Sequence, residues 1–555
     1  MPSIKLDKKT VYDLLGSKKI DEKKLADRIS MMGTDLDEIN ATEIDVEIFP
    51  NRPDLLSEQG FARALSSFMG LKTGLRSYSA KKSNYKMIID SSVKDVRPYT
   101  ACCVVKNLKF NDNVIKQVIQ IQEKLHVTFG RNRKKAAIGI YPLEQISFPI
   151  TFKAKLPNEI KFHPLESDRE MTGAEILTRH PTGRDYAHLL DGLKYYPIFE
   201  DAKGKILSMP PIINSHDTGR ITEKTTDVFI ECSGFDKLVL SKCLNMIVCA
   251  MSEMGGQIYS MEVENKHSGE KYLLPELEAE DMKIDISKAN KWLGLELKEN
   301  DLKNCLEKMG YSYSSGVVKI PCYRSDIIAP TDLYEDIAIA YGYENFEPII
   351  PKVATTGEEA PIEKFEQKLR EVLIGFGLYE TKTYNITSSS VQTKLMNLDI
   401  PLVKLANSLT VDYDTLRAWV IPSLLDVLRN NKQYDYPQCY FDFGRVFKNT
   451  GDGETGITEN DRLAVALCDK DVDFTKIKQI LDAIFDSIGI RYSLKETKHN
   501  SFIPGRVGRI SYDKKEIGYI GEIHPSVLNN FELEMPLVAL EINITELFDE
   551  IKDKI

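Results

Sequence analysis

Apolar residues recur at helical spacing in Val11–Leu15 and Leu25–Met32, with Gly16 and Gly33 placed as stops. Glu43-Ile-Asp-Val-Glu-Ile-Phe49 instead alternates, as a strand buried on one face does. The turn Pro50-Asn-Arg-Pro-Asp-Leu-Leu-Ser57 leads into a helix over Glu58–Phe68, with Asp54 or a nearby polar residue as its cap. A polar linker and a strand fill Lys81–Arg97, and Tyr99-Thr-Ala-Cys-Cys-Val-Val105 opens a new α/β region. That region contains an amphipathic helix over Val114–Leu125, a buried strand Ala136–Tyr141 and a long apolar helix Leu238–Met254. Two extended segments flank the Pro210-Pro211 turn, which puts Asn214, Ser215, Glu231 and Asp236 near strand ends. Sites are built at such ends, and turns are capped there too.

Farther on, Ser287–Leu293 and Glu299–Met309 read as two helices, followed by a hairpin about Ser314-Ser-Gly316. Helix-turn-helix plus wing is a nucleic-acid-binding shape, but the second helix is not basic, which favours a scaffold role. The last region alternates helices (Glu363–Phe376, Ser423–Lys432, Lys476–Ile488) with strands at Cys439–Phe447, Leu463–Leu467, Gly518–Pro525 and Val538–Ile542. The whole reads as an α+β multidomain chain divided at 1–90, 91–272, 273–350 and 351–555. No internal repeat is visible.

Composition changes this picture little. Hydrophobic content of 42% and charged content of 28% suit an ordinary globular chain rather than a disordered one. No apolar run is long enough to span a membrane, and Met1-Pro-Ser-Ile-Lys resembles neither a signal nor a transit peptide. Nine cysteines without a C-x-x-C pair suggest reduced, buried thiols and a cytoplasmic location. The net charge of −10 argues against broad nucleic-acid binding. Phe129-Gly-Arg-Asn-Arg-Lys-Lys135 is the one dense basic run, either a solvated loop or a phosphate contact. His180 and His524 each precede proline and read as turn residues; Trp292 and Trp419 read as core.

The richest chemistry lies in Ser325–Tyr343. Pro330 and Thr331 start a helix, and Asp332, Glu335 and Asp336 fall in its first turns, with Asp326 just before it. Two readings stay open on chemistry alone. Acidic residues favour the positive end of a helix dipole. Alternatively, carboxylates without sulfur or imidazole suit a hard cation such as magnesium.

Tyr323-Arg-Ser-Asp-Ile, Asp332-Leu-Tyr-Glu-Asp-Ile-Ala and Tyr341-Gly-Tyr343 resemble the magnesium-site signature of the phenylalanyl-tRNA synthetase beta subunit. Asn51-Arg-Pro-Asp-Leu55 resembles the N-terminal domain of the same family, in its compact archaeal form. The resemblance implies magnesium at Asp326, Asp332, Glu335 and Asp336, bracing structure or an interface. It also implies an α/β editing-type domain over 91–272, a winged metal-binding domain over 273–350 and a class II synthetase-like antiparallel sheet over 351–555. The family's editing domain hydrolyses mischarged tyrosyl-tRNA, and Pro210-Pro-Ile-Ile-Asn-Ser215 and Phe229-Ile-Glu-Cys-Ser-Gly-Phe-Asp236 resemble it. Asn214, Ser215, Glu231 and Asp236 are the candidates for that site.

A working class II site holds ATP phosphates with arginines, whose guanidinium forks match them. Phe441-Asp-Phe-Gly-Arg-Val-Phe447 lacks the Arg-x-Glu pattern, and Gly521-Glu-Ile-His-Pro525 lacks the second arginine. Activation is therefore expected in a separate alpha subunit, and the resemblance implies an α2β2 enzyme joining phenylalanine to tRNA(Phe) with ATP and magnesium. The rival is a non-catalytic scaffold or RNA-binding protein reusing these modules.

Overall fold

The computed structural model describes residues 2–16, 20–353 and 355–554. The chain forms two compact units, Met1–Ile349 and Ile350–Ile555.

In the first unit the N-terminal helices Lys8–Leu15, Glu22–Met31 and Glu58–Phe68 accompany a three-stranded antiparallel sheet. The helix Glu58–Phe68 is capped by the Ser57 hydroxyl, which accepts from the Gly60 amide. Asp54 is not the cap. It faces Arg52, with two bonds of 2.9 Å.

The largest sheet has ten strands. Its order runs from Ile213–Asn214 through Ile206–Met209, Tyr196–Glu200, Ile150–Lys155 and Lys81–Ile89 to Gln257–Asn265, Tyr99–Lys106, Val228–Gly234 and Ala136–Pro142. Lys271–Leu274 pairs beside Gln257–Asn265. The strand Lys81–Ile89 lies inside this sheet, parallel to both neighbours, so the sheet begins upstream of the boundary at 91. Likewise Lys271–Leu274 carries it across 272. A strand is expected within Lys81–Arg97, but its polar composition, with only Met87 and Ile89 buried, gives no sign that it pairs inside this sheet. The apolar helix Lys237–Glu253 is buried over most of its length, which explains its nearly continuous hydrophobic sequence.

Residues 280–341 form their own small core. The helices Ile286–Leu293 and Glu299–Lys308 precede a hairpin of Ser312–Ser314 and Val317–Ile320, and the helix Pro330–Tyr341 follows. Trp292, expected in the core, is 70% exposed.

The second unit is built on a seven-stranded sheet, antiparallel except for its short edge strand Tyr379–Glu380. In the strand Ile457–Cys468 the residues Leu463, Val465 and Leu467 enter one core, while Ala464, Ala466 and Cys468 enter the other. This period of two lets helices cover both faces. Pro361–Gly375 and Phe474–Ser487 pack against the large side chains, and Ile421–Asn430 packs against the small ones. The long strand Phe502–Tyr512 has no clear sequence signal, because Pro504, Gly505 and Gly508 interrupt it and a register shift follows Phe502.

Candidate functional site

A cavity of about 200 Å³ opens beside the end of the ten-stranded sheet. Asn214 lines it from the strand Ile213–Asn214, and Glu231 lines it from the strand Val228–Gly234. Glu231 lies at the middle of its strand, not near an end, and is 2% exposed. The Tyr141 hydroxyl links the two. It lies 3.2 Å from Glu231 Oε1, 3.4 Å from Asn214 Oδ1 and 2.8 Å from Ser208 Oγ.

Burial pushes the Glu231 carboxyl up to about 8, against the lowering effects of the Tyr141 hydroxyl and the Arg97 charge. The group is therefore mostly a neutral acid at pH 7, able to donate as well as accept. Its second oxygen, Oε2, has no hydrogen-bond partner among the described residues. A buried polar atom left unpaired is disfavoured by about 1–3 kcal/mol, so this atom favours a polar guest.

Gly139 makes the close approach possible. It is paired opposite Glu231, and a Cβ there would lie 2.2 Å from the Tyr141 hydroxyl and 2.5 Å from Glu231 Oε1. Only a residue without a side chain fits.

The opposite wall carries His126 and Arg133. His126 Nε2 accepts the Ile138 amide at 2.8 Å, so the ring proton sits on Nδ1, 3.2 Å from Glu123 Oε1. Burial lowers the His126 pKa below its ordinary value. With both nitrogens engaged, His126 shapes the wall rather than serving as a free base. Arg133 comes from the basic run. Arg131, Asn132 and Arg133 all have left-handed φ, at 49°, 52° and 66°. Such backbone is unfavourable for side-chain-bearing residues, and its concentration in one turn marks a shape held by its surroundings. Arg133 donates to the Ile212 carbonyl at 2.8 Å and stacks over Tyr186 at 4.3 Å.

Of the four editing candidates, the structure thus brings Asn214 and Glu231 to one cavity. Ser215 is buried at the start of the short helix His216–Gly219 and makes no side-chain cap. Asp236 is exposed and caps the helix Lys237–Glu253 by accepting from the Val239 amide at 3.0 Å. Neither lines the cavity. Tyr141, Ser208, His126 and Arg133 were not foreseen as a group, although the basic run marked Arg133's neighbourhood.

The acidic stretch is arranged differently from a four-carboxylate set. The Arg324 guanidinium grips Asp326 with two bonds of 2.8 Å and reaches Asp336 at 2.8 Å. Asp336 also accepts from the Tyr311 hydroxyl. Asp332 accepts from the Ile328 and Ala329 amides, both at 2.7 Å, and so closes the helix start. Glu335 is exposed and accepts from the Tyr343 hydroxyl at 2.8 Å. Among the described residues, no three of these carboxylates bring ligand oxygens within 4.8 Å of one another. As they stand they do not fit one magnesium ion. A cationic side chain balances the inner pair.

A family model described as the phenylalanyl tRNA synthetase beta chain CLM domain matches residues 347–544, and one described as the tRNA synthetase B5 domain matches 282–343. The phenylalanine–tRNA ligase beta subunit of Pyrococcus horikoshii is 41% identical over 503 residues, covering 90% of each chain. The chain belongs to the phenylalanine–tRNA ligase beta-subunit family. The family's Archaeoglobus fulgidus member is 38% identical over 559 residues, covering 99% of both chains. A solved N-terminal fragment of the Pyrococcus horikoshii phenylalanyl-tRNA synthetase beta subunit matches with a TM-score of 0.58 at 37% identity. It covers 61% of this chain and 99% of the fragment.

Arg445 lies at the surface, paired to Asp461 at 2.9 and 3.1 Å. Arg417 is wholly buried against Asp442 and the Arg445 carbonyl, and Gly444 leaves room for its guanidinium. His524 caps the helix Pro525–Asn530. No described helix is long and apolar enough to cross a membrane.

Proposed function

We propose that this chain works with an alpha partner in joining phenylalanine to tRNA(Phe) with ATP, and that its cavity hydrolyses the tyrosyl ester of that tRNA. The observation that carries the second part is the unpartnered Glu231 Oε2, held buried and near neutral beside Tyr141. A phenol hydroxyl entering the cavity would complete its hydrogen bonding. A pocket for phenylalanine rejects an analogue with one added hydroxyl only about a hundredfold, whereas a site built to bond the hydroxyl can discriminate about 10⁴-fold or more. Asn214 stands beside this group and serves to orient a water. No side chain in the cavity is poised as a strong base, so hydrolysis rests on positioning. Arg133 and the basic run around it suit the phosphates of a tRNA end.

Synthesis by the partner is supported by the second unit, where Arg417 and Arg445 are both committed to internal pairs. Tyr379, Tyr384, Leu409, Val411 and Tyr413 are exposed there, an apolar surface suited to a partner chain. An α2β2 assembly is the expected form. Magnesium at Asp326, Asp332, Glu335 and Asp336 takes no part in this reading, because Arg324 already balances two of the four.

The test uses the full chain with its alpha partner. Phenylalanyl-tRNA should form, and added tyrosyl-tRNA should decay faster than with buffer. Glu231→Ala should slow that decay by about a hundredfold or more while phenylalanylation is unchanged. Equal decay in both proteins would remove the editing assignment, and no aminoacylation with the partner would remove the ligase one.

A further inference from the structure

We propose that His163, His216 and Asp217 form a binding site for a divalent transition-metal ion of the zinc class. Among the described residues they are the one set of three metal-ligating side chains whose donor atoms all lie within 4.8 Å of one another. His163 Nδ1 is 3.6 Å from Asp217 Oδ1, and His216 Nδ1 is 3.5 Å from the same oxygen. Ligands about 2.0–2.1 Å from a tetrahedral zinc stand roughly 3.3 Å apart, so both nitrogen–oxygen distances are within tenths of an ångström of that spacing, and the two imidazoles close on the ion from within 4.8 Å of each other.

A hydrogen bond also sets the tautomer of His163. His163 Nε2 lies 2.7 Å from the Ser167 carbonyl oxygen, which can only accept. The proton therefore sits on Nε2 and leaves the Nδ1 lone pair facing Asp217. A backbone carbonyl holding the far nitrogen is the usual way a metal-binding histidine is fixed in tautomer and angle. The two imidazoles stack at 4.6 Å between centroids, 29° from parallel, with both Nδ1 atoms toward the carboxylate.

The backbone beneath ties the two segments together. The His216 amide donates to the His163 carbonyl at 2.8 Å, the Leu165 amide to the Asn214 carbonyl at 2.9 Å, and Pro164 and Ser215 form an antiparallel bridge between them. Two imidazoles and one carboxylate suit zinc, cobalt, nickel or copper rather than magnesium or calcium. Partial exposure of Asp217 leaves room for a water to complete the coordination.

The location gives the ion a task. Leu165 and Glu166 on one segment and Asn214 on the other line the cavity described above. An ion at His163 and His216 would clip these segments together and fix that wall. The site stands on its own geometry and does not depend on what the cavity hydrolyses.

The experiment takes the full chain, stripped with a chelator. Zinc is titrated in competition with a chromogenic chelator, and cobalt(II) is followed by its visible absorption. One ion should bind with nitrogen–oxygen coordination and without a thiolate band in the near ultraviolet. Asp217→Asn, at an exposed position that leaves the fold intact by circular dichroism, should weaken zinc at least about tenfold, and His216→Gln with Asp217→Asn should abolish that site. Zinc should raise the melting midpoint of the wild type and not of the double variant. Equal stoichiometry and affinity in the wild type and the double variant would overturn the proposal, as would a thiolate band.

Discussion

Arg324 holds Asp326 in a two-pronged ion pair, with both nitrogen–oxygen distances at 2.8 Å, and the same guanidinium reaches Asp336. Beside it Arg52 and Asp54 form a second pair of the same Arg-x-Asp design at 2.9 Å. Burial works to raise the Asp54 carboxyl, but Arg52 outweighs it and holds the group below its usual value. Tyr323 carries Arg63 over its ring at 3.8 Å. The Asn51–Leu55 turn and the Tyr323–Asp326 segment, far apart in sequence, thus share one buried network in the first unit.

Removing the guanidinium leaves two carboxylates unbalanced in a desolvated place. Arg324→Met should destabilise the first unit by about 3–5 kcal/mol, read as a lower urea midpoint. Adding Asp326→Asn and Asp336→Asn should recover part of that loss, because the charges left behind are then gone. A loss unchanged by the added substitutions would mean packing, not charge, decides stability here.

With Arg324 in place, magnesium has little to add. The melting midpoint should be the same in magnesium chloride and in a chelator. Asp332→Ala should cost about 1 kcal/mol in either condition, through the lost closure of the helix start. A stabilisation by magnesium that vanishes in Asp332→Ala would show that the carboxylates regroup around an ion.

Much of the fold was legible from periodicity. The helix Glu58–Phe68 ends where the apolar pattern ends, and the long helix near 237–253 is buried as its composition demands. Pairing across the sheet was not legible. Nothing in the sequence sets Gly139 opposite Glu231, or places Glu231, Asn214 and His126 around one cavity, since each comes from a different strand or helix. Asp236 shows the converse: an acidic residue after a turn looks chemical in sequence, yet it satisfies a helix amide. In the acidic stretch the charges were visible and their partner Arg324 stood two residues away, but only its side-chain direction decides between a cation and a guanidinium.

Glu231 should leave a pH signature. Its folded pKa of about 8 exceeds the ordinary value of 4.5, so between those limits the folded chain holds a proton that the unfolded chain releases. Stability contributed by this group is therefore greatest below about pH 4.5 and declines as pH rises, by up to about 1.4 kcal/mol per unit, until about pH 8. Glu231→Gln has no such proton. The difference in unfolding free energy between variant and wild type should grow in the variant's favour from pH 5 to pH 8, and a flat difference would contradict a neutral buried Glu231.

Gly139 offers a way to disturb the cavity without replacing any of its polar groups. A methyl there would fall 2.2 Å from the Tyr141 hydroxyl and 2.5 Å from Glu231 Oε1, both less than any real contact allows. Both neighbours are buried, and Tyr141 is stacked on Phe229 at 5.7 Å, so neither can retreat freely. Gly139→Ala should therefore destabilise by about 1–3 kcal/mol, the range for overpacking a close-packed interior. It should also part the Tyr141 hydroxyl from the Glu231 carboxyl and slow tyrosyl-tRNA hydrolysis, with phenylalanylation by the partnered enzyme unchanged. Destabilisation with hydrolysis intact would mean that the pair shapes the sheet and another group in the cavity meets the substrate.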